Sequence, residues 1–212
     1  MDSSKIELDQ DYRELCMAVG HLFITFSRLE GTLAATLKLH LANQICGNAK
    51  SVNDIALSSA IYGGMRFKSA RDTIKRIMTT ENTPKEVEKF VLSIFEHVGH
   101  IETFRDHIAH QTTVPAIEGR GIWQVSDSIT TRTIKEPKVR LFTVEAVVSA
   151  ANDLATASNR LGGHVVGDRL YEDGFEISPV TWQYKSSMLK LVPQNKMRNP
   201  PKHAPQRQAS RP

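Results

Sequence analysis

Arg105-Asp106-His107-Ile108-Ala109-His110 gathers a guanidinium, a carboxylate and two imidazoles into six residues. Arginine presents a planar fork of donors that matches a phosphate better than lysine does. Histidine is the side chain that exchanges protons near neutral pH. Together, Arg105 and His110 suit phosphodiester chemistry. Just upstream, Val87, Val91, Ile94, Val98 and Ile101 recur at steps of four and three, which predicts one buried helical stripe. The next position on that stripe is Arg105, followed by Ile108. A guanidinium on an apolar centre line is costly unless it is paired or works at a shared surface. On an ideal helix, positions 105 and 110 stand about 140° apart and about 7.5 Å apart along the axis. Both side chains reach one atom if the helix loosens before Gln111-Thr112-Thr113, or if two copies each supply one. An apolar face interrupted by arginine favours the second arrangement.

The elements that must carry these residues are mainly helical. The first helix is expected from Asp9 to Ile45, with Tyr12, Leu15, Val19, Phe23, Phe26, Leu33 and Leu37 on its apolar face. Gly20 marks a bend or a close approach there. A short helix from Asn53 to Tyr62 ends at Gly63-Gly64, and the next, Met65 to Thr79, buries Phe67, Ala70, Ile74 and Ile77. Thr83-Pro84-Lys85-Glu86 reads as a capping box that opens the helix ending near His110. Ile122–Ser126 and Lys138–Phe142 alternate like a hairpin. Thr143 caps a last helix that buries Val147, Val148, Ala151, Leu154 and Leu161. Phe175, Ile177, Thr181 and Trp182 form a weakly strand-like patch lying against the hairpin.

Charge and composition divide the chain further. Seven cations follow Glu176, the last acid, so the formal charge of +4 belongs to the tail and the body is slightly acidic. From Lys185 the chain holds five of the nine prolines and lacks a periodic apolar face, which predicts a disordered basic tail. The expected fold is therefore all-α: a four- or five-helix bundle over residues 1–165 with a hairpin insertion at about 121–142. A short appendage over 166–184 packs on the bundle, and 185–212 forms the tail. No segment approaches the ~18 uninterrupted apolar residues of a membrane span. The polar stretch Met1–Glu14 fits no signal peptide, and Cys16, placed on an apolar stripe, and Cys46 are too few for a disulfide framework. A reduced, cytoplasmic protein is expected.

With these elements in place, the chain resembles the HEPN superfamily of helical bundles. Arg105-Asp106-x-x-x-His110 matches the Arg-x4–6-His signature at a helix end, with Asp106 in the polar place after the arginine. Ile108-Ala109-His110 is similar to the ending of bacterial members. Phe26-Ser27-Arg28-Leu29-Glu30, Tyr62-Gly63-Gly64-Met65-Arg66-Phe67 and Phe142-Thr143-Val144-Glu145 extend the likeness over Asp9 to Leu161. The resemblance implies a metal-independent endoribonuclease, a toxin or defence effector, whose composite site forms across a homodimer. Arg105 would hold the scissile phosphate, and His110 would act as general base or acid for attack by the 2′-hydroxyl, leaving a 2′,3′-cyclic phosphate. Asp106 would orient the histidine or shape the pocket. An antitoxin or regulatory protein is the further partner implied. Thr112 stands where some HEPN toxins carry a modifiable tyrosine, so that mode of neutralisation does not transfer. The same bundle also serves as a non-catalytic RNA-binding or protein-interaction module, and an unrelated bundle with Arg105 as a structural ion-pair residue is the third reading.

Glu30 is placed to pair with Arg105 and fix its guanidinium, or to reach water from the edge of the stripe. Arg66, Lys68, Arg71 and Lys75 make the middle helix locally basic, with Lys68, Arg71 and Lys75 on its outward face. That face is either an RNA-backbone groove or a solvated surface. His100 and His107 lie about 10.5 Å apart along an ideal helix, too far for one ion, so neither metal nor cofactor is expected. Trp123 and Trp182 are expected to cover the bundle with the hairpin, or to stack on bases.

Overall fold

The computed structural model describes residues 3–46, 64–117, 119, 121–126, 138–162 and 180–192, with the side chains of the first helix described from Gln10 to His40. Four helices stand out among them: α1 (Ser3–Cys46), α2 (Phe67–Thr80), α3 (Lys85–His110) and α4 (Val144–Gly162). A four-stranded antiparallel sheet, β1 (Thr112–Pro115), β2 (Ile122–Ser126), β3 (Val139–Thr143) and β4 (Lys190–Leu191), runs in chain order. The chain is thus mostly helical with a small sheet. The expected helix over 53–62 lies outside the described residues, as do Phe175 and Ile177.

α1 packs along α4 and against α2, and α3 packs on α4. Its buried stripe is Leu15, Ala18, Leu22, Phe26, Leu29, Leu33 and Leu37. That line is rotated from the expected one, because Tyr12 is exposed while Val19 and Phe23 are half-buried. Cys16 is an exposed thiol rather than a member of the apolar stripe. α1 runs through Gly20 as continuous helix, and a Cβ there would touch nothing, so no close approach requires the glycine. α4 buries small residues, Ala146, Ala150, Ala151 and Ala157, which let it lie close to α1; Val148 faces outward instead. At its end, a Cβ on Gly162 would stand 2.9 Å from Thr32 Cγ2, a real need for glycine.

The turn from α2 to α3 closes by backbone geometry. Asn82 adopts φ 53°, a left-handed conformation that asparagine tolerates better than most residues. The Thr83 N–H then donates to the Met78 carbonyl at 3.1 Å, satisfying an orphan acceptor of the last turn. α3 begins at Lys85 with Pro84 at its N-cap position. Proline supplies the entry geometry there. In α4 the expected cap is present: the Ala146 N–H donates to Thr143 Oγ1 at 3.4 Å.

The hairpin forms as the alternation predicts, with Trp123 opposite Phe142 and Val125 opposite Arg140. Trp123, Val125 and Phe142 are buried, and Phe142 meets Phe104 of α3 edge-on at 5.6 Å. Two strands escape sequence reading. β1 follows α3 after one residue and pairs with β2 from Thr112 opposite Ser126 to Pro115 opposite Trp123. Lys185–Val192, expected in the disordered tail, includes a 3-10 turn (Ser186–Met188) and β4, which pairs with β3. The residues beyond 192 lie outside the description.

The segment before β4 is fastened by one buried carboxylate. Asp153 of α4 accepts the backbone N–H groups of Gln183 at 2.9 Å and Tyr184 at 2.8 Å, and its Oδ2 lies 2.8 Å from His97 Nε2. Trp182 stacks on His97 at 4.3 Å, and Tyr184 stacks on Phe104 at 5.2 Å. Burial pushes the Tyr184 hydroxyl up to about 12. Both tryptophans therefore cover the bundle, as one of their two expected roles required. No helix among the described residues is long and apolar enough to cross a membrane.

Candidate functional site

Phe26 of α1 and Phe67 of α2 are fully buried and meet edge-on at 5.9 Å between centroids. This aromatic pair forms the floor on which the charged residues rest. The Arg105 guanidinium lies over the Phe26 ring, 4.1 Å from its centroid, where the ring's negative face attracts the cation. Its Nε and Nη2 donate to Asp106 Oδ1 at 3.1 and 2.6 Å. Arg105 is half-buried rather than on the stripe's centre line, because Phe104 takes the fully buried position. An α-helix advances 3.6 residues per turn, so a stripe read in steps of four and three drifts by the fifth turn. The guanidinium is held at the rim of the core, fixed by a ring below and a carboxylate beside it.

A second arginine repeats the arrangement. Arg71 of α2 is half-buried, its guanidinium carbon 5.8 Å from the centroid of Phe67. Its Nε donates to Asp72 Oδ1 at 3.1 Å. Each arginine is thus followed by its own aspartate, and each rests over one member of the phenylalanine pair. The expectation that Lys68, Arg71 and Lys75 share an outward face is corrected here: Lys68 and Lys75 are exposed, whereas Arg71 turns toward the aromatic floor.

Glu30 does not pair with Arg105. Its Oε1 accepts the Phe67 backbone N–H at 2.9 Å, and its Oε2 is 3.9 Å from Arg66 Nη1. The N-terminus of α2 carries unsatisfied N–H groups and partial positive charge, so it captures the carboxylate. Arg66, almost fully exposed, adds little to that bond.

Glu102, one turn before Arg105, looks in the sequence like any helix-surface glutamate. It is half-buried and makes no hydrogen bond or ion pair with the described residues. Its pKa is raised above the ordinary glutamate range, first by burial. Arg105 and Arg71 pull it down, while Asp106 and Glu30 push it up. One carboxyl therefore feels both arginines at once.

His110, the last residue of α3, is exposed. No hydrogen bond or ion pair joins it to Arg105 within the chain. The structure brings Arg105, Asp106, Arg71 and Glu102 to one place and leaves His110 apart. No three His, Cys, Asp or Glu side chains among the described residues are grouped to hold a metal ion. No family model, curated protein or solved structure matches the chain.

Proposed function

We propose that the chain is a metal-independent endoribonuclease of HEPN type that works as a homodimer. The observation that carries this reading is the fixed guanidinium of Arg105, over Phe26 at the end of α3, with an exposed imidazole five residues on. Arg105 would neutralise the scissile phosphate. His110, from the second copy, would remove the 2′-hydroxyl proton. The 2′-oxygen then bonds to phosphorus, the bond to the 5′-oxygen breaks, and that leaving group takes up a proton. A 2′,3′-cyclic phosphate and a 5′-hydroxyl result. Positioned proton transfer of this kind contributes about 10²–10⁴-fold. The separation of the two side chains in one copy supports a site completed by a second. The family resemblance extends the proposal to a toxin or defence effector restrained by a regulatory protein.

The test is incubation of purified protein with RNA in EDTA. Cleavage yielding cyclic phosphate ends, lost in both Arg105→Ala and His110→Ala while the dimer persists, supports the reading. Retained cleavage in a folded His110→Ala dimer removes the general base, and a strict monomer in sedimentation removes the shared site. A second reading, RNA binding without turnover, is favoured by the bond from Arg105 to Asp106, which occupies part of the guanidinium. It predicts salt-sensitive binding with no cleavage.

A further inference from the structure

The twin Arg-Asp arrangement extends that site. Arg71 and Arg105 come from different helices, yet each has its Nε tied to the aspartate that follows it. Each guanidinium also rests on one ring of the Phe26–Phe67 pair. Rings and aspartates together restrict the side chains that phosphate binding would otherwise have to order. The aspartates occupy the Nε edges. Both Nη groups of Arg71 and Nη1 of Arg105 make no hydrogen bond to the described residues. Two arginines and two aspartates balance in charge, so the field that an incoming anion meets is decided by the neighbouring carboxyls, Glu102 and Glu30. The charged groups facing Glu102 are Arg105 and Asp106 from α3, Arg71 from α2 and Glu30 from α1.

We propose that Arg71 and Arg105 form a two-guanidinium cradle for the phosphodiester backbone of RNA, and that Glu102 gates it, admitting the anion when protonated. The inference rests on the ribonucleic reading of Arg105 and adds a second phosphate-binding residue and a proton-controlled one. Anion binding favours protonated Glu102, so affinity falls as pH rises through the elevated pKa of this carboxyl. Burial and the two neighbouring acids oppose its ionisation, and a bound phosphate opposes it further.

The experiment measures binding of a single-stranded RNA oligonucleotide between pH 5 and 8. The proteins are the full chain and its Arg71→Gln, Arg71→Lys, Lys75→Gln and Glu102→Gln variants, all in a His110→Asn background. That background prevents turnover during the binding measurement. Arg71→Gln is expected to weaken binding about tenfold and to flatten the log-log salt slope by about one. Arg71→Lys should recover part of the loss. Lys75→Gln, the same charge change at an exposed site on the same helix, should cost about twofold or less. Glu102→Gln should bind more tightly than the parent at pH 8 and lose the part of the pH dependence that Glu102 supplies. Equal losses in Arg71→Gln and Lys75→Gln overturn the cradle, whereas Arg105-dependent cleavage would still uphold the ribonuclease. An unchanged pH profile in Glu102→Gln overturns the gate. If the parent binds no RNA, the ribonucleic reading itself fails. Inorganic pyrophosphate then decides the cradle: thermal protection lost in Arg71→Gln retains it as an anion site, and absence of protection ends it. Melting curves of each variant confirm folding.

Discussion

Asp153 and His97 meet 2.8 Å apart between α4 and α3, with the carboxylate 2 % exposed. Two backbone N–H groups of the C-terminal segment share that carboxylate, so it joins three parts of the fold. Asp153→Ala leaves these donors unpaired in the interior and is expected to cost about 3 kcal/mol. The loss is read by denaturant unfolding. Trypsin should also cut faster after Lys185 and Lys190, because the segment loses its fastening. An unaltered digestion pattern would show that the stacked rings alone retain it.

Glu30 has a structural task that separates it from Arg105. Glu30→Ala removes the acceptor of the Phe67 N–H and should destabilise the protein by about 2 kcal/mol, since a carboxylate–amide bond is charge-assisted. Function attributed to Arg105, measured well below the melting temperature, should persist. A selective loss of RNA cleavage at undiminished stability would restore the pairing that the geometry removes.

Gly162 tests the contact between α4 and α1. Gly162→Ala is expected to cost roughly 1–3 kcal/mol, because its new methyl meets Thr32 Cγ2. Thr32→Ser deletes that methyl and retains the hydroxyl that lies 3.0 Å from Ser158 Oγ. The double variant should therefore recover most of the loss. Additive destabilisation would place the strain elsewhere.

Glu102 gives a stability prediction whose sign is fixed by its raised pKa. The folded state holds this proton more tightly than the unfolded chain, so the associated stability is full below the ordinary glutamate pKa. It is lost as pH climbs through the raised one. Glu102→Gln should melt close to the parent in acid and above it at pH 8. Equal melting differences at both pH values would contradict a burial-driven shift.

Phe26→Leu keeps an apolar side chain beneath Arg105 and removes the ring. It should cost about 1–2 kcal/mol and loosen the guanidinium. The Arg105 Nε resonance is the reporter: slower motion in the parent than in the variant is expected. Identical order parameters would assign the restraint to Asp106 alone.

Helix periodicity made the four described helices and the hairpin legible, because apolar spacing is a local property. It misplaced individual faces where near-ties occur. Tyr12 and Leu15 both fit a stripe, and tertiary packing buries Leu15 and leaves Tyr12 exposed. β1 was hidden because Thr112–Pro115 is short and contains proline, which a sheet accepts at its edge. β4 was hidden because its partner lies almost fifty residues upstream. Arg105, Asp106 and Arg71 were visible by type. Glu102 was not, since its burial and its two arginine neighbours come from packing between helices.

Gln111 alone joins the last residue of α3 to the first of β1, and its own N–H is bonded back to the His107 carbonyl at 3.2 Å. Such a joint has no slack. Tilting the outermost strand must swing the imidazole just before it, and whatever grips that imidazole must in turn steady the strand. His110 is in this sense a pointer mounted on the sheet, and its aim is set by how β1 lies as much as by the helix that carries it.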